Sequence, residues 1–147
     1  MDRRSFFPLL ILTALVISPV GGCSFGCGMD VRVDVGMDGV DGVRERVVTI
    51  VADRLGMVET PVASVARDEW RNFEHRGLDN FLFGISLKRT DSLVVSIIRY
   101  GKKTLMSDEI ALYRKFVEEL SAEFGATRVH ADVTTSCGQQ LLSTAPH

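Results

Sequence analysis

Residues 29–134 predict an α+β fold, with two helices packed on one face of a mainly antiparallel sheet. Three observations lead there. Met29-Asp30-Val31-Arg32-Val33-Asp34-Val35 alternates apolar and charged residues without a break, which is the period of a half-buried strand. Residues 80–100 hold two β-rich runs around Thr90-Asp91-Ser92, a turn-forming sequence. Residues 42–57 and 107–124 instead repeat their apolar positions at helical spacing, as helices with one buried face do.

The elements follow in order. Residues 36–42 form a Gly/Asp loop. The first helix, over 42–57, puts Val43, Val47, Ile50, Val51 and Leu55 on one face. Arg44, Glu45, Asp53 and Arg54 fall largely elsewhere, and Asp41 or Gly42 serves as N-cap. Residues 61–66 fit a short edge strand. Residues 67–79 show no period and read as a loop or a single turn. Phe81, Phe83, Ile85 and Leu87 alternate with Leu82, Gly84, Ser86 and Lys88, and 93–100 is a second β-rich run, so the pair predicts a hairpin. Ser107 is the expected cap of the second helix, with Asp108 and Glu109 in its positive first turn. Ile110, Tyr113, Val117, Leu120 and Phe124 line one face, and Gly125 ends it. Thr127, Val129, Ala131 and Val133 then alternate with Arg128, His130 and Asp132 in a last strand. The order βα(β)ββαβ predicts a ferredoxin-like sandwich, or a variant with an extra edge strand. The 22 residues of 58–79 are long for a loop, and an edge strand at 61–66 shortens it.

The chain has 147 residues, 17 Lys+Arg, 19 Asp+Glu and a net charge of −2. That balance excludes a strongly basic nucleic-acid binder and a highly charged disordered chain. The mean hydropathy of +0.15 is high for a soluble domain, and residues 1–22 supply essentially all of it. Met1-Asp2-Arg3-Arg4 is followed by the uncharged run FFPLLILTALVI and then Ser18-Pro19-Val20-Gly21-Gly22. This is the layout of a secretory signal peptide. The apolar run is too short to cross ~30 Å of hydrocarbon, and Pro8 and Pro19 punctuate it.

Val20-Gly21-Gly22-Cys23 resembles the lipobox of bacterial lipoproteins: an aliphatic residue, two small residues and Cys. Val20 stands where Leu is commonest. The resemblance covers the first 23 residues. It implies cleavage before Cys23 and acylation of that cysteine, which would anchor the protein in the membrane through several acyl chains. Ser24-Phe25-Gly26-Cys27 fits the pattern less well. Arg3-Arg4 also resembles a twin-arginine export motif, although the very apolar core suits the general secretory route better. By resemblance to enteric lipoproteins, Ser24 rather than Asp at that position points to the outer membrane.

The expected organisation is therefore a signal peptide at 1–22, a lipidated tether at 23–28, the domain at 29–134 and a tail at 135–147. Removing the leader leaves 15 Lys+Arg against 18 Asp+Glu, a charge of −3 over 125 residues. Cysteine arithmetic agrees with the anchor. The chain has three Cys, and lipidation of Cys23 leaves Cys27 and Cys137 as an even pair in an oxidising compartment. Their disulfide would close a loop of 111 residues. In a ferredoxin-like sheet the last strand lies beside the first, which brings the two cysteines' flanks together.

Candidate chemistry is sparse. Asp34-x-Gly36-x-Asp38-Gly39, followed by Glu45, partly fits a calcium loop. Gly replaces one ligand and a strand precedes it, so a turn with a helix cap is the preferred reading. Asp68, Glu69, Glu74 and His75 cluster near Trp70 and could serve acid–base work, but polar residues on a surface loop are the preferred reading. Trp70 and Phe73 fit either core positions or a partner anchor. Arg128, His130 and Asp132 mark a polar strand face suited to protein docking. No nucleophile-elbow, P-loop, dinucleotide or zinc-protease motif is present.

The expectation is a non-enzymatic envelope lipoprotein facing the periplasm, without cofactor or metal. It would bind or inhibit a protein partner or assist envelope assembly. One version is an immunity lipoprotein against a periplasm-acting toxin, and another is a small-ligand or cell-wall-binding module. No nucleic-acid partner is expected.

Overall fold

The computed structural model describes residues 26–62, 69–102 and 104–132. They form β1 (Cys27–Asp34), α1 (Val40–Thr49, extended by Ile50–Arg54), β2 (Met57–Thr60), β3 (Trp70–His75), β4 (Phe81–Ser86), β5 (Ser92–Arg99), α2 (Ser107–Phe124) and β6 (Val129–Ala131). The sheet has six strands in the order β2-β3-β4-β5-β1-β6. Every pairing is antiparallel. The fold is therefore α+β, two helices with a six-stranded antiparallel sheet. The ferredoxin-like expectation is corrected: β2 and β3 extend the sheet beyond β4, where the sequence pointed to one extra strand at most.

β3 is the main correction. It occupies 70–75, inside the segment read as a loop. Its core-facing row is Arg71, Phe73 and His75, and only Phe73 is fully buried. A strand whose inward row carries two polar residues shows no two-residue apolar period. The edge strand lies at 57–60 rather than 61–66, of which 63–66 fall outside the described residues. It pairs with β3 from Met57↔His75 to Thr60↔Asn72.

The first helix begins at Val40 and ends in a wider turn, with Leu55 N–H bonded to Ile50 C=O at 3.0 Å. Arg44, expected off the apolar face, is buried at 8% exposure. Its guanidinium donates to Ser86 O, Lys88 O and Asp41 Oδ1, so α1 is pinned to the end of β4. The cap of α2 is Met106 rather than Ser107, with the Glu109 carboxylate accepting the Met106 N–H at 2.9 Å. Residues 126–128 form a single helical turn, and the last strand shortens to 129–131.

Alternation in the strands sends one row into the core. Met29, Val31 and Val33 of β1, Leu93, Val95 and Ile97 of β5, and Phe81, Phe83 and Ile85 of β4 are at most 2% exposed. Val43, Val47, Ile50 and Val51 from α1 and Tyr113, Phe116, Leu120 and Phe124 from α2 join the same cluster. Phe83 meets Phe116 edge-to-face at 4.9 Å between ring centroids. Each such buried aromatic contributes about 1.5–3 kcal/mol from lost water contact. Arg46 and Arg54 bridge the helices to Glu123 and Glu119. The Arg46 guanidinium holds the Glu123 carboxyl below its ordinary range, and Arg71 does the same to Glu59.

The register also fixes the two ends of the sheet. Met57, His75, Phe81, Arg99 and Cys27 lie in one row across five strands. At that end the buried Arg99 meets Glu109 of α2, Nε to Oε1 2.7 Å. The Nε–H is not aligned for a hydrogen bond, so the contact is coulombic. Arg99 Nη1 donates to the carbonyls of Asp79 and Tyr100. The Gly/Asp loop and the start of α1 lie at the other end.

Candidate functional site

Both helices occupy one side of the sheet, and among the described residues no helix lies on the other. That open face carries the second row of every strand. On β1 and β6 the row is charged. Asp30, Arg32 and His130 are exposed, and His130 Nε2 lies 2.8 Å from Asp34 Oδ2. On β3, β4 and β5 the row is largely apolar or small: Trp70, Asn72, Leu82, Gly84, Ser96 and Ile98. These residues, with Val62 and Tyr100, line a concavity of about 310 Å3. Ser96 joins the two halves, its hydroxyl donating to Asp30 Oδ1 at 2.6 Å.

Gly84 explains how tryptophan fits on a sheet surface. A Cβ at this position would lie 3.4 Å from Trp70 Cε3 and 3.3 Å from Asn72 Oδ1. The missing side chain lets the indole lie close over the backbone of β4. Trp70 is half-buried there.

The predicted site residues separate. Trp70 is on the open face, but Phe73, three residues on, is 2% exposed in the core. The strand period puts them on opposite sides, so Phe73 offers no surface to a partner. Arg128 precedes β6 rather than lying on its face. It donates to Asp34 O, Val35 O and Asp38 Oδ2 and holds the β1–α1 loop. Asp132 follows β6, with its N–H bonded to Asp30 O. Of that trio, His130 alone is a strand residue with its side chain on the open face.

Glu74 and His75 leave β3 on opposite faces, Glu69 precedes the strand, and Asp68 lies outside the described residues. The cluster does not converge as an acid–base pair would. The candidate calcium carboxylates face cations or a histidine of the protein: Asp34 meets His130, Asp38 meets Arg46 and Arg128, and Glu45 lies 3.9 Å from Arg71. Among the described residues no three His, Cys, Asp or Glu side chains are grouped to hold a metal ion. A second concavity, about 350 Å3, lies between the His75–Leu78 turn and Asp108, Ala111, Leu112 and Lys115 of α2. His75 Nδ1 is buried at its edge without a hydrogen-bond partner.

Cys27 is disulfide-bonded. Cys23 and Cys137 both lie outside the described residues. Leu82, Gly84 and Ile98 are the site residues the sequence reading missed. Their signal was present, since Leu82 and Ile98 are apolar in the row that should be polar if that face were simply solvated. Comparisons with protein-family models, curated proteins and solved structures find no match to this chain.

Proposed function

We propose that this chain is a small lipid-anchored protein of the bacterial cell envelope, facing the periplasm from the outer membrane, whose domain binds a protein partner and performs no catalysis. The anchor is Cys23, on the strength of the leader and Val20-Gly21-Gly22-Cys23. One observation carries the binding reading: an apolar, tryptophan-bearing hollow beside a charged strip on the side of the sheet that bears no helix. An apolar centre with a polar margin is the anatomy of protein interfaces, and tryptophan is enriched where such contacts are strongest. An immunity lipoprotein is one form of this reading.

The remaining cysteines fit the same scheme. Asp132 bonds to Asp30, three residues along β1 from Cys27, or roughly 10 Å. Four residues lie between Asp132 and Cys137, and the five steps can span about 17 Å. A Cys27–Cys137 bridge is within reach.

Photo-crosslinking in intact cells tests the binding reading. A crosslinking residue at Leu82 or Ile98 should give an adduct of protein mass. One at Glu118, exposed on α2, should not, and Trp70→Ala should abolish the adducts. Absence of protein adducts at Leu82 and Ile98 would overturn the reading. A small-ligand or cell-wall module is favoured instead by the volume, which sits at the low end of the ~300–1,000 Å3 of ligand sites. It predicts a bound small molecule in the native mass spectrum and no protein adduct.

A further inference from the structure

We infer that the end of the sheet carrying Cys27 rests on the lipid surface, with Tyr100 and Met106 at headgroup depth. The inference rests on the lipidation of Cys23 proposed above. Its first support is the length of the tether. β1 starts at Cys27, four residues after the acylated position. Gly26 is already held by the domain: a Cβ there would collide with the backbone carbonyls of Arg99 and Lys102. The chain therefore leaves the domain beside the β5–α2 connection. Three peptide steps, about 11 Å at full extension, then separate Gly26 from Cys23. So short a link cannot hold the domain away from the bilayer or let its far end face the lipid.

The second support is what that end exposes. Among the described residues the exposed large hydrophobic side chains are Met37, Val58, Tyr100 and Met106. Three of the four lie at or next to the Cys27 row. Tyr100 follows Arg99 and bonds through its N–H to Asn80 O. Met106 caps α2, and Val58 follows Met57 on β2. A tyrosine with an apolar ring and a polar tip is the side chain typical of a bilayer interface. Charge is compatible with this placement. Arg76 and Lys102 balance Asp79 and Asp108 at this end, so it carries no local excess of negative charge to oppose anionic headgroups. In this orientation the open-face hollow rises from Tyr100 at the lipid, past Leu82 and Ile98, to Trp70, and it is the Trp70 end that is presented to the periplasm.

The test uses the full-length acylated protein in vesicles of phosphatidylethanolamine and phosphatidylglycerol whose acyl chains are brominated near the headgroup. In a Trp70→Phe background, a single tryptophan is placed by Tyr100→Trp or by Met37→Trp. Fluorescence quenching at position 100 should exceed that at 37 severalfold. Hydroxyl-radical oxidation gives a second measurement on the unsubstituted protein. Met106 and Met37 are 49% and 104% exposed, so an unobstructed Met106 should oxidise at about half the rate of Met37. On vesicles the ratio should fall severalfold below that. Equal quenching with a ratio near one half, in protein that carries acyl chains and floats with the vesicles, would overturn this orientation and leave the lipoprotein reading standing. An intact mass without acyl chains, and no flotation, would overturn both.

Discussion

Removing the Glu109 carboxylate should be among the most costly single changes in the domain. The side chain is 1% exposed, and its partner Arg99 is 7% exposed. Glu109→Ala leaves the guanidinium buried against the carbonyls of Asp79 and Tyr100 without the carboxylate that faces it. It also strips the acceptor from the Met106 N–H at the start of α2. Breaking a buried pair by removing one partner costs about 3–5 kcal/mol. In a domain of this size that lowers Tm by roughly 10–20 °C. Urea unfolding of the disulfide-intact protein should show the loss as a shift in midpoint at unchanged slope. The double variant Arg99→Leu/Glu109→Leu removes both charges and fills much of the same volume, so it should be more stable than Glu109→Ala alone. A Glu109→Ala loss under about 1 kcal/mol would refute the reasoning, because that is the scale of a solvated surface pair. A double variant less stable than the single one would refute it from the other side.

Other outcomes follow from the same geometry. Phe73→Ala should cost about 3–5 kcal/mol by urea unfolding, while Trp70→Ala, on the open face, should cost far less and abolish the crosslinks. Gly84→Val should push the indole off the sheet and shift its emission toward that of an exposed tryptophan, with unchanged emission counting against the contact. Glu59 and Glu123 have folded-state pKa values below their unfolded ones. Their contribution is therefore present above the unfolded pKa and lost as pH falls through the folded value. The urea midpoint should drop on acidification below the ordinary carboxylate range, and Glu123→Gln should flatten that drop. Non-reducing peptide mapping should join Cys27 to Cys137, and reduction should then lower stability by up to ~4.7 kcal/mol. A Cys23–Cys27 peptide would instead refute lipidation at Cys23.

The helices and β1, β4 and β5 were legible because each buries one face, and the short β6, none of whose residues is fully buried, was legible from its alternation alone. Val31 and Val33, Phe81 and Phe83, Val95 and Ile97, and Tyr113, Leu120 and Phe124 repeat with the period of their element, whereas Phe116, outside the expected face of α2, is fully buried and Val117 only partly so. β3 was not legible. It lies one strand in from the edge, with Arg71 beside Glu59 at 2.9 Å and only Phe73 reaching the core. The split of Trp70 from Phe73 follows directly once 70–75 is known to be a strand, and was invisible while it read as a loop.

By itself, the sequence determined the α+β class and most of the core, and it supplied the leader and the anchoring cysteine as expectations. These depend on local composition and period, which need no partner to be read. Only the tertiary structure decided that the sheet has six strands, that Arg44, Arg99 and Glu109 are buried, and that Trp70 lies on Gly84 on the face without helices. Each of these depends on which residue lies across from which, over separations such as Arg44 to Ser86. A buried charge and an exposed one have the same letter in the sequence. Their surroundings, set by strand register and helix docking, separate them.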